Sequence, residues 1–298
     1  MHRVQRPLLA VDAPSLLFRA FHALPKTITD ASGRPVNALL GAANIVLREV
    51  ELHRPRAVAM CFGPDAAEYR VELYEPYHAE RPPVPDELAP QFGDAASFFG
   101  AFGWSIAYDE TLEADDTLGS LVQLEEDAGG TALILTGDRD MFQCVTDAVA
   151  VLYVRTGREG AEVVDRQGVI GRYGVPPELV PDFIALRGDP SDGIPGARGI
   201  GEKTAAELLG RHGSLEAAIA GGARERPARV SGALLDGREI LPMFKRLATL
   251  QAADVERPPD RETDYPGAAQ AARDRGMNRL AERLEKAAAA GPRPSRAT

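Results

Sequence analysis

The chain has 298 residues, enough for one large domain or for a large domain with a smaller partner. Its composition, 44% hydrophobic and 26% charged, is that of a folded globular protein, and no apolar run approaches the roughly 18 residues needed to span a membrane. The net charge of −10 excludes a simple polycation that coats nucleic acid, although the sum hides where the 34 basic residues lie.

The N-terminus, MHRVQRPLLAVDAP, has two arginines before a short apolar run that ends in Asp12, so it reads as a buried first strand rather than a leader. A helix follows over 15–22 with Leu16, Leu17 and Ala20 inward, and helical periodicity returns over 37–53. AVAMCF (57–62) is a second strand. The stretch YRVELYEPYHAERPPVPDEL (69–88) is proline-rich and shows neither a strand nor a core-helix pattern. A helix over 86–102 stops at Gly103, and WSIAY (104–108) is a third strand. The clearest amphipathic helix covers 113–127, with Leu118, Leu121, Val122 and Leu124 apolar. TALILT (131–136) and AVAVLYV (148–154) complete five strands separated by helical segments, the pattern of an α/β protein with a parallel, doubly wound sheet.

After residue 175 the chain turns to helices and glycine-punctuated turns, including PPELVPDFIALRG, EKTAAELLGRHG, SLEAAIAG and REILPMFKRLATLQ. We expect a catalytic core over 1–174, a helical region over 175–255, and a C-terminal helix with a disordered tail over 256–298, the tail being the last ten residues. Cys61 and Cys144 lie inside apolar segments and read as buried thiols of a reducing cytoplasm.

The chemistry is carried by eight acids in four short blocks: Asp12 in LLAVDAPS, Glu113, Asp115 and Asp116 in LEADDTLGS, Asp138 and Asp140 in LILTGDRDMFQ, and Asp189 and Asp192 in LRGDPSDGIPG. Each block sits at a strand end or a helix start, where sites form in open α/β sheets. So many carboxylates converge only around cations, and all-oxygen donors suit Mg²⁺ or Mn²⁺. The commonest chemistry of such sites is phosphoryl transfer with two metal ions. Gly137 is expected to permit the tight turn before Asp138.

GIGEKT (199–204) departs from the Walker A spacing, because Glu202 rather than glycine precedes Lys203 and no strand leads into it. A glycine hairpin between two helices offers backbone amides to a phosphate and carbonyls to a monovalent cation, with Lys203 and Thr204 adding contacts. That is a sequence-independent grip on a DNA backbone. The segment 70–83 interleaves Arg70, His78 and Arg81 with Tyr69, Tyr74 and Tyr77, a mixture suited to single-stranded nucleic acid.

In chain order, LLAVDAPSLLFRAFHALP, YRVELYEPYHAERPPVPDEL, LEADDTLGS, TGDRDMFQ and LRGDPSDGIPGARGIGEKTAAELL together resemble the 5′-nuclease family, the 5′→3′ exonuclease domains of bacterial DNA polymerase I and the flap endonucleases. The resemblance covers 7–255. It implies a PIN-like parallel sheet with helices on both faces, a helical arch over 69–100, and a helix-three-turn-helix element that grips duplex DNA with K⁺ in its loop. It further implies two-metal (Mg²⁺ or Mn²⁺) hydrolysis of a phosphodiester near the 5′ end of a flap, nick or recessed strand, including RNA-primed ends. Asp12, Glu113, Asp115 and Asp116 resemble the first-metal group and Asp138, Asp140, Asp189 and Asp192 the second, with Asp115 bridging. DNA contacts are implied for Arg19, Arg70, Tyr77, Gly199, Gly201, Lys203 and Thr204, and catalytic cations at His78 and Arg81. A monomeric, cytoplasmic, stand-alone nuclease without a membrane partner is the expectation, and a catalytically weakened DNA-junction binder of the same fold is the alternative.

Three positions depart from the family pattern. Its Phe-Asp at the end of the second strand is Phe62-Gly63 here, with Asp65 two residues on. Its Tyr-Lys-Ala-x-Arg is Tyr77-His78-Ala79-Glu80-Arg81, and its Asp-Asn-Ile-Pro-Gly is Asp192-Gly193-Ile194-Pro195-Gly196. Gly63 implies a weaker first metal position, and replacing a lysine cation by an imidazole implies lower activity that improves below neutral pH.

Overall fold

The computed structural model describes residues 6–155 and 160–290. Its centre is the strand β1 (Leu8–Asp12), whose five residues are all buried. Burial on both faces is what a continuous apolar LLAV run produces in the middle of a parallel sheet. Around it lie β2 (Ala57–Phe62), β3 (Ser105–Tyr108), β4 (Ala132–Thr136), β5 (Val149–Val154) and β6 (Ala161–Val164), in the order β3-β2-β1-β4-β5-β6. The first five strands are mutually parallel, with Asp12 opposite Cys61 in β2 and Val11 opposite Leu135 in β4. The sixth is antiparallel to β5. Sequence periodicity shows only five strands because AEVV is a four-residue edge strand with an exposed Val163, too short and too wet to leave an apolar run.

The helices are α1 (Ala13–Ala23), α2 (Asn37–His53), α3 (Glu68–Leu73), α4 (Ala89–Gly100), α5 (Ala114–Asp127), α6 (Arg166–Tyr173), α7 (Val180–Arg187), α8 (Glu202–His212), α9 (Leu215–Gly221), α10 (Ala228–Asp236), α11 (Leu241–Ala248), α12 (Tyr265–Asp274) and α13 (Asn278–Ala290). Alternate residues of β1 point to opposite layers. Leu8 and Ala10 join a core with α5 and the helices of the C-terminal half, while Leu9 and Val11 join one with α1, α2, α4, α12 and α13. The chain is thus an α/β protein with helices on both faces of a mostly parallel sheet and a helical C-terminal region.

Two expectations need correction. The 69–88 stretch is not wholly irregular: it begins inside α3, a six-residue helix with Arg70 buried. Among the described residues, the C-terminal region holds two packed helices where one was expected. An extended segment after α11 returns across the sheet, and Glu125, itself fully buried, receives Arg56 and Arg257 there, while Arg56 also bonds Asp260 and the carbonyl of Pro258. α12 and α13 then place Ala268, Ala272, Leu280 and Leu284 against Phe98, Phe102 and Trp104. Each buried aromatic ring there contributes roughly 2 kcal/mol. Ala289 and Ala290, expected in the tail, end α13, and 291–298 lie outside the described residues. Among the described residues, no helix is long and apolar enough to cross a membrane.

Candidate active site

The strand order reverses direction between β1 and β4, and a doubly wound sheet opens a crevice at that switch point, beyond the carboxyl ends of the strands. A cleft of about 2180 Å³ lies there, whose lining includes the acids Asp12, Glu113, Asp115, Asp138, Asp140 and Asp189 and the bases Arg19, His78, Arg81, Arg139 and Arg187. Asp12 ends β1 and caps α1, accepting from the Ser15 amide at 3.1 Å. Its other oxygen accepts from the hydroxyl of Thr136, the last residue of β4. That same hydroxyl receives the Asp138 amide at 2.8 Å, and Asp138 in turn accepts the Asp140 amide at 2.8 Å. A chain of short polar contacts therefore sets Asp12, Asp138 and Asp140 side by side across the switch point.

Gly137 serves close approach rather than turn geometry. It is absent from the glycines with positive φ, but a Cβ there would lie 1.8 Å from Nε of Arg19. Arg19 crosses that bare backbone and donates to the Gly137 carbonyl at 2.6 Å.

The acids divide by their partners. Arg70 is 3% exposed and donates through Nη1 and Nη2 to both oxygens of Asp116, at 2.9 and 2.8 Å, and lies 3.0 Å from Glu113. Asp116 also accepts the amides of Gln251 and Glu113, while Glu113 accepts the Ala67 amide and the Tyr77 hydroxyl. Glu113 and Asp116 form a reciprocal capping box at the start of α5. On the far side, Asp192 faces Nε2 of His78 at 3.1 Å and Arg81 at 3.3 Å, and Asp189 is held by Arg187 at 3.0 Å and by Ser191. Between these groups, Asp12, Asp115, Asp138 and Asp140 have no ion-pair partner among the described residues.

Electrostatics follows that division. Burial pushes the Asp138 carboxyl up to about 6, with Asp192, Asp12 and Asp189 adding repulsion against the relief from the Asp140 amide. Asp115 is raised well above the usual carboxylate range, first by burial and then by Asp138, Asp12, Glu113 and Asp140. Asp140 is raised likewise by burial and by Asp138, Asp192 and Asp189. Asp12 is raised by burial, against the pull of Thr136, Ser15 and Arg19. Such a set of hard oxygen donors, desolvated and mutually repelling, fits a divalent cation, which would relieve all four at once. Among the described residues, no three acids, histidines or cysteines are gathered closely enough to grip an ion as they stand. The cysteines take no part: burial pushes Cys144 up to about 12 and Cys61 higher still.

Several expected roles change with these placements. Arg70 and Tyr77, expected at a DNA surface, are buried. Arg70 is buried against Glu113 and Asp116, and Tyr77 is 5% exposed, bonded to Glu113 and stacked on His78 with ring centres 3.9 Å apart. Their alternation of aromatic and basic types marks the inner face of the segment rather than an open surface. Glu113 and Asp116 turn their oxygens to Arg70 and backbone amides. His78 is not a free cation: it is 8% exposed, with Nδ1 against the Asp65 carbonyl at 2.9 Å and Nε2 against Asp192. Arg81 keeps 36% of its side chain exposed. Asp65 does not reach the acids; it pairs with Arg81 at 3.3 Å with its own side chain 70% exposed. Gly199 (φ 77°) and Gly201 lie exposed before α8, with Lys203 exposed and Thr204 half-buried in its first turn. The residue that sequence reasoning missed is Arg187, at the end of α7, which holds Asp189 and lowers the charge burden on Asp140. Its signal was its place two residues before Asp189.

Two of the three departures from the family pattern, at 78 and 193, adjoin each other, and the third, Gly63, packs on the start of α5. A Cβ on Gly63 would meet the Leu112 carbonyl at 2.4 Å and the Ala114 amide at 2.7 Å, so the β2 end packs directly on the start of α5. Gly193, at φ 74°, has the Pro76 carbonyl 2.8 Å from where a Cβ would stand. The neighbouring His78, itself left-handed at φ 56°, donates its amide to the Asp192 carbonyl at 3.3 Å. Gly193 thus lets the 74–78 segment lie against the Asp189–Ile194 loop.

Comparison with known proteins gives a consistent result. Family models described as the 5′-3′ exonuclease N-terminal resolvase-like domain and the 5′-3′ exonuclease C-terminal SAM fold match residues 7–174 and 175–264. A protein of Mycobacterium tuberculosis named 5′-3′ exonuclease is 38% identical over 237 residues, covering 73% of this chain and 74% of its own length. DNA polymerase I of the same organism is 37% identical over 218 residues, 73% of this chain but 24% of that protein, so the chain spans about a quarter of these polymerases. Among solved structures, T5 5′-exonuclease with bound zinc superposes with a TM-score of 0.66 at 18% identity, covering 95% of this chain and 98% of that one. The catalytic core of Rad2 in complex with DNA substrate gives 0.63 at 14%, covering 95% and 92%. At those identities the two structures speak for the fold alone.

Proposed function

The chain belongs to the 5′-3′ exonuclease family, and from that premise we propose that it is a metal-dependent, structure-selective nuclease that hydrolyses DNA phosphodiesters near the 5′ end of a flap, nick or recessed strand. The observation that carries the proposal is the set of four buried carboxylates, Asp12, Asp115, Asp138 and Asp140, gathered in the cleft at the switch point, raised by burial and mutual repulsion and with no direct ion pair among the described residues. Buried carboxylates that raise one another in a cleft mark a place where a bound cation or substrate would relieve them.

Asp115, Asp138 and Asp140, with Asp12 behind them, would hold Mg²⁺ or Mn²⁺, and Asp189 and Asp192 stand on the far wall to complete the set. When bound, such ions polarise the phosphoryl oxygens, lower the pKa of water and neutralise charge on the leaving oxygen, the two-ion chemistry expected for this donor set. The chain's own residues do the positioning. Arg81, partly exposed on the cleft wall, is the cation we assign to the scissile phosphate. His78 ties the arch base to the loop that carries Asp192. Arg19, stacked over Gly137, places positive charge on the opposite rim. The Gly199–Gly201 turn, the first amides of α8, Lys203 and Thr204 would take a duplex phosphate at the edge of the cleft, which Gly201 and Glu202 line, with K⁺ at the turn carbonyls. These contacts read backbone rather than bases, which suits selection by DNA structure.

The test is a 5′-labelled flap incubated with the purified protein in Mg²⁺, in Mn²⁺ and with chelator, alongside Asp138→Ala. Metal-dependent short products that the variant does not give are expected. One observation favours a second reading, a junction-binding protein with weakened catalysis: the acid expected at position 63 is glycine, packed on backbone. Tight binding of the flap with no cleavage under any condition would select it.

A further inference from the structure

Arg187, the last residue of α7, reaches two parts of the cleft at once. Its Nε donates to the Gly188 carbonyl at 2.8 Å and its Nη2 to Asp189 at 3.0 Å, which fixes the plane of the guanidinium. The rings of Tyr173 and Phe183 support it, with centroids 5.8 and 5.3 Å from Cζ. Nη1 is left for Glu202, the first residue of α8, at 3.4 Å. The two partners differ in freedom: the Arg187 side chain is 16% exposed and that of Glu202 is 66% exposed. Glu202 also lies within electrostatic reach of Arg139, an exposed arginine of the same cleft that donates to the Tyr153 hydroxyl at 3.1 Å.

A solvent-exposed carboxylate thus occupies a preorganised guanidinium that bridges the start of α8 to the loop of Asp189. An exposed pair of this kind is worth little. A phosphodiester, whose two non-bridging oxygens match the guanidinium fork, is the better partner. We propose that Glu202 is a tethered stand-in for a DNA phosphate: it occupies Arg187 in the DNA-free protein and gives way to a backbone phosphate of the substrate. Arg187 then becomes a DNA contact that links the grip at α8 to the loop of Asp189. The inference rests on the nuclease reading for the class of ligand. It makes Arg187 a binding residue and Glu202 a brake on binding, released by a strand that engages the turn before α8.

Affinity for a 5′-flap DNA, read by fluorescence anisotropy in chelator across a salt series, tests this with no cleavage in the readout. Glu202→Gln should tighten binding about fivefold at low salt, the scale of one exposed ion pair. Glu207→Gln removes an equal charge from an exposed position of the same helix and should change affinity less than about twofold. Equal gains in the two variants would reduce Glu202 to net charge and overturn the proposal. Arg187→Gln should weaken binding and lower the slope of log K against log salt by about one, the loss of one phosphate contact. Arg187→Lys should recover that slope, whereas an unchanged slope in Arg187→Gln contradicts the role given to Arg187. In the Arg187→Gln background, Glu202→Gln should gain less than about twofold, because its partner is gone. The full gain in that background is against the pairing. Should Arg187→Gln not fold, the comparison of Glu202→Gln with Glu207→Gln still decides. A wild-type protein that binds the flap, with Glu202→Gln no tighter, sinks this inference alone; a wild-type protein that does not bind the flap sinks the nuclease reading with it.

Discussion

The first turn of α5 and its N-cap hold carboxylates in opposite states. Asp116 and Glu113 are buried carboxylates with an arginine, a tyrosine and backbone amides around them, and they cap the helix and fix α3 and α11 to it. Asp115, between them in sequence, turns instead to Asp138, Asp12 and Asp140, with no cation among the described residues, and its carboxyl is driven upward. Compensated carboxylates build scaffold, because a buried charge with full partners tolerates only that geometry. Uncompensated ones store repulsion that a cation releases. The proposed chemistry is assigned to the second set, which the first would keep in place.

Disabling the uncompensated side should have the largest effect. Asp140→Asn is expected to lower flap cleavage by at least about a thousandfold, ~4 kcal/mol of barrier, while leaving the fold intact or more stable. Its rate and its thermal midpoint in chelator, measured together, check both halves; a variant that is inactive because it unfolds would erase the contrast. Breaking the compensated side should act on stability first. Arg70→Met leaves Glu113 and Asp116 buried without their cation, and a loss of about 3 kcal/mol in denaturant unfolding is expected. A neutral result would mean that the capping amides alone carry the pair.

The pH dependence sharpens the same contrast with a smaller effect. Asp138 has a folded value of about 6, against roughly 4 for an unfolded aspartate. Between those values the folded state binds more protons than the unfolded one, so metal-free stability is highest at the acid end and falls as pH rises through 6. The expected loss between pH 4.5 and 7 is about 2 kcal/mol from this group, read by denaturant unfolding in chelator and abolished in Asp138→Asn. Saturating Mg²⁺ should reverse the slope, because the ion needs the deprotonated form. The smallest effect concerns Gly63. Restoring the family's acid with Gly63→Asp should cost about 1–2 kcal/mol, since the start of α5 must move to admit a Cβ. It should not tighten Mn²⁺ binding; a tighter ion in that variant would show that the α5 start yields easily.

Much of the fold was legible because the core strands are short apolar runs with acids at their ends, and LLAVD and LILTGD behave the same way in any parallel sheet. The edge strand β6 and the pairing of α12 with α13 were not legible. An edge strand needs no apolar run, and alanine-rich helices carry little pattern until a surface selects their inner face. The acid set was found by its spacing, as was the glycine turn before α8. Partner choice was not: Arg70 and Tyr77 have the composition of a nucleic-acid surface but lie inside, because composition records which groups are present and not which way they turn.

The sequence by itself determined that acids end the strands of an α/β sheet, that a glycine turn precedes a helix with Lys203 and Thr204, and that positions 63, 78 and 193 depart from the family pattern. Only the tertiary structure decided which acids are free. That depends on whether Arg70, His78, Arg81 and Arg187, contributed from separate elements, arrive within hydrogen-bonding distance of a given carboxylate. Coulomb energy and desolvation change steeply over a few ångströms, and a one-dimensional pattern does not contain those distances.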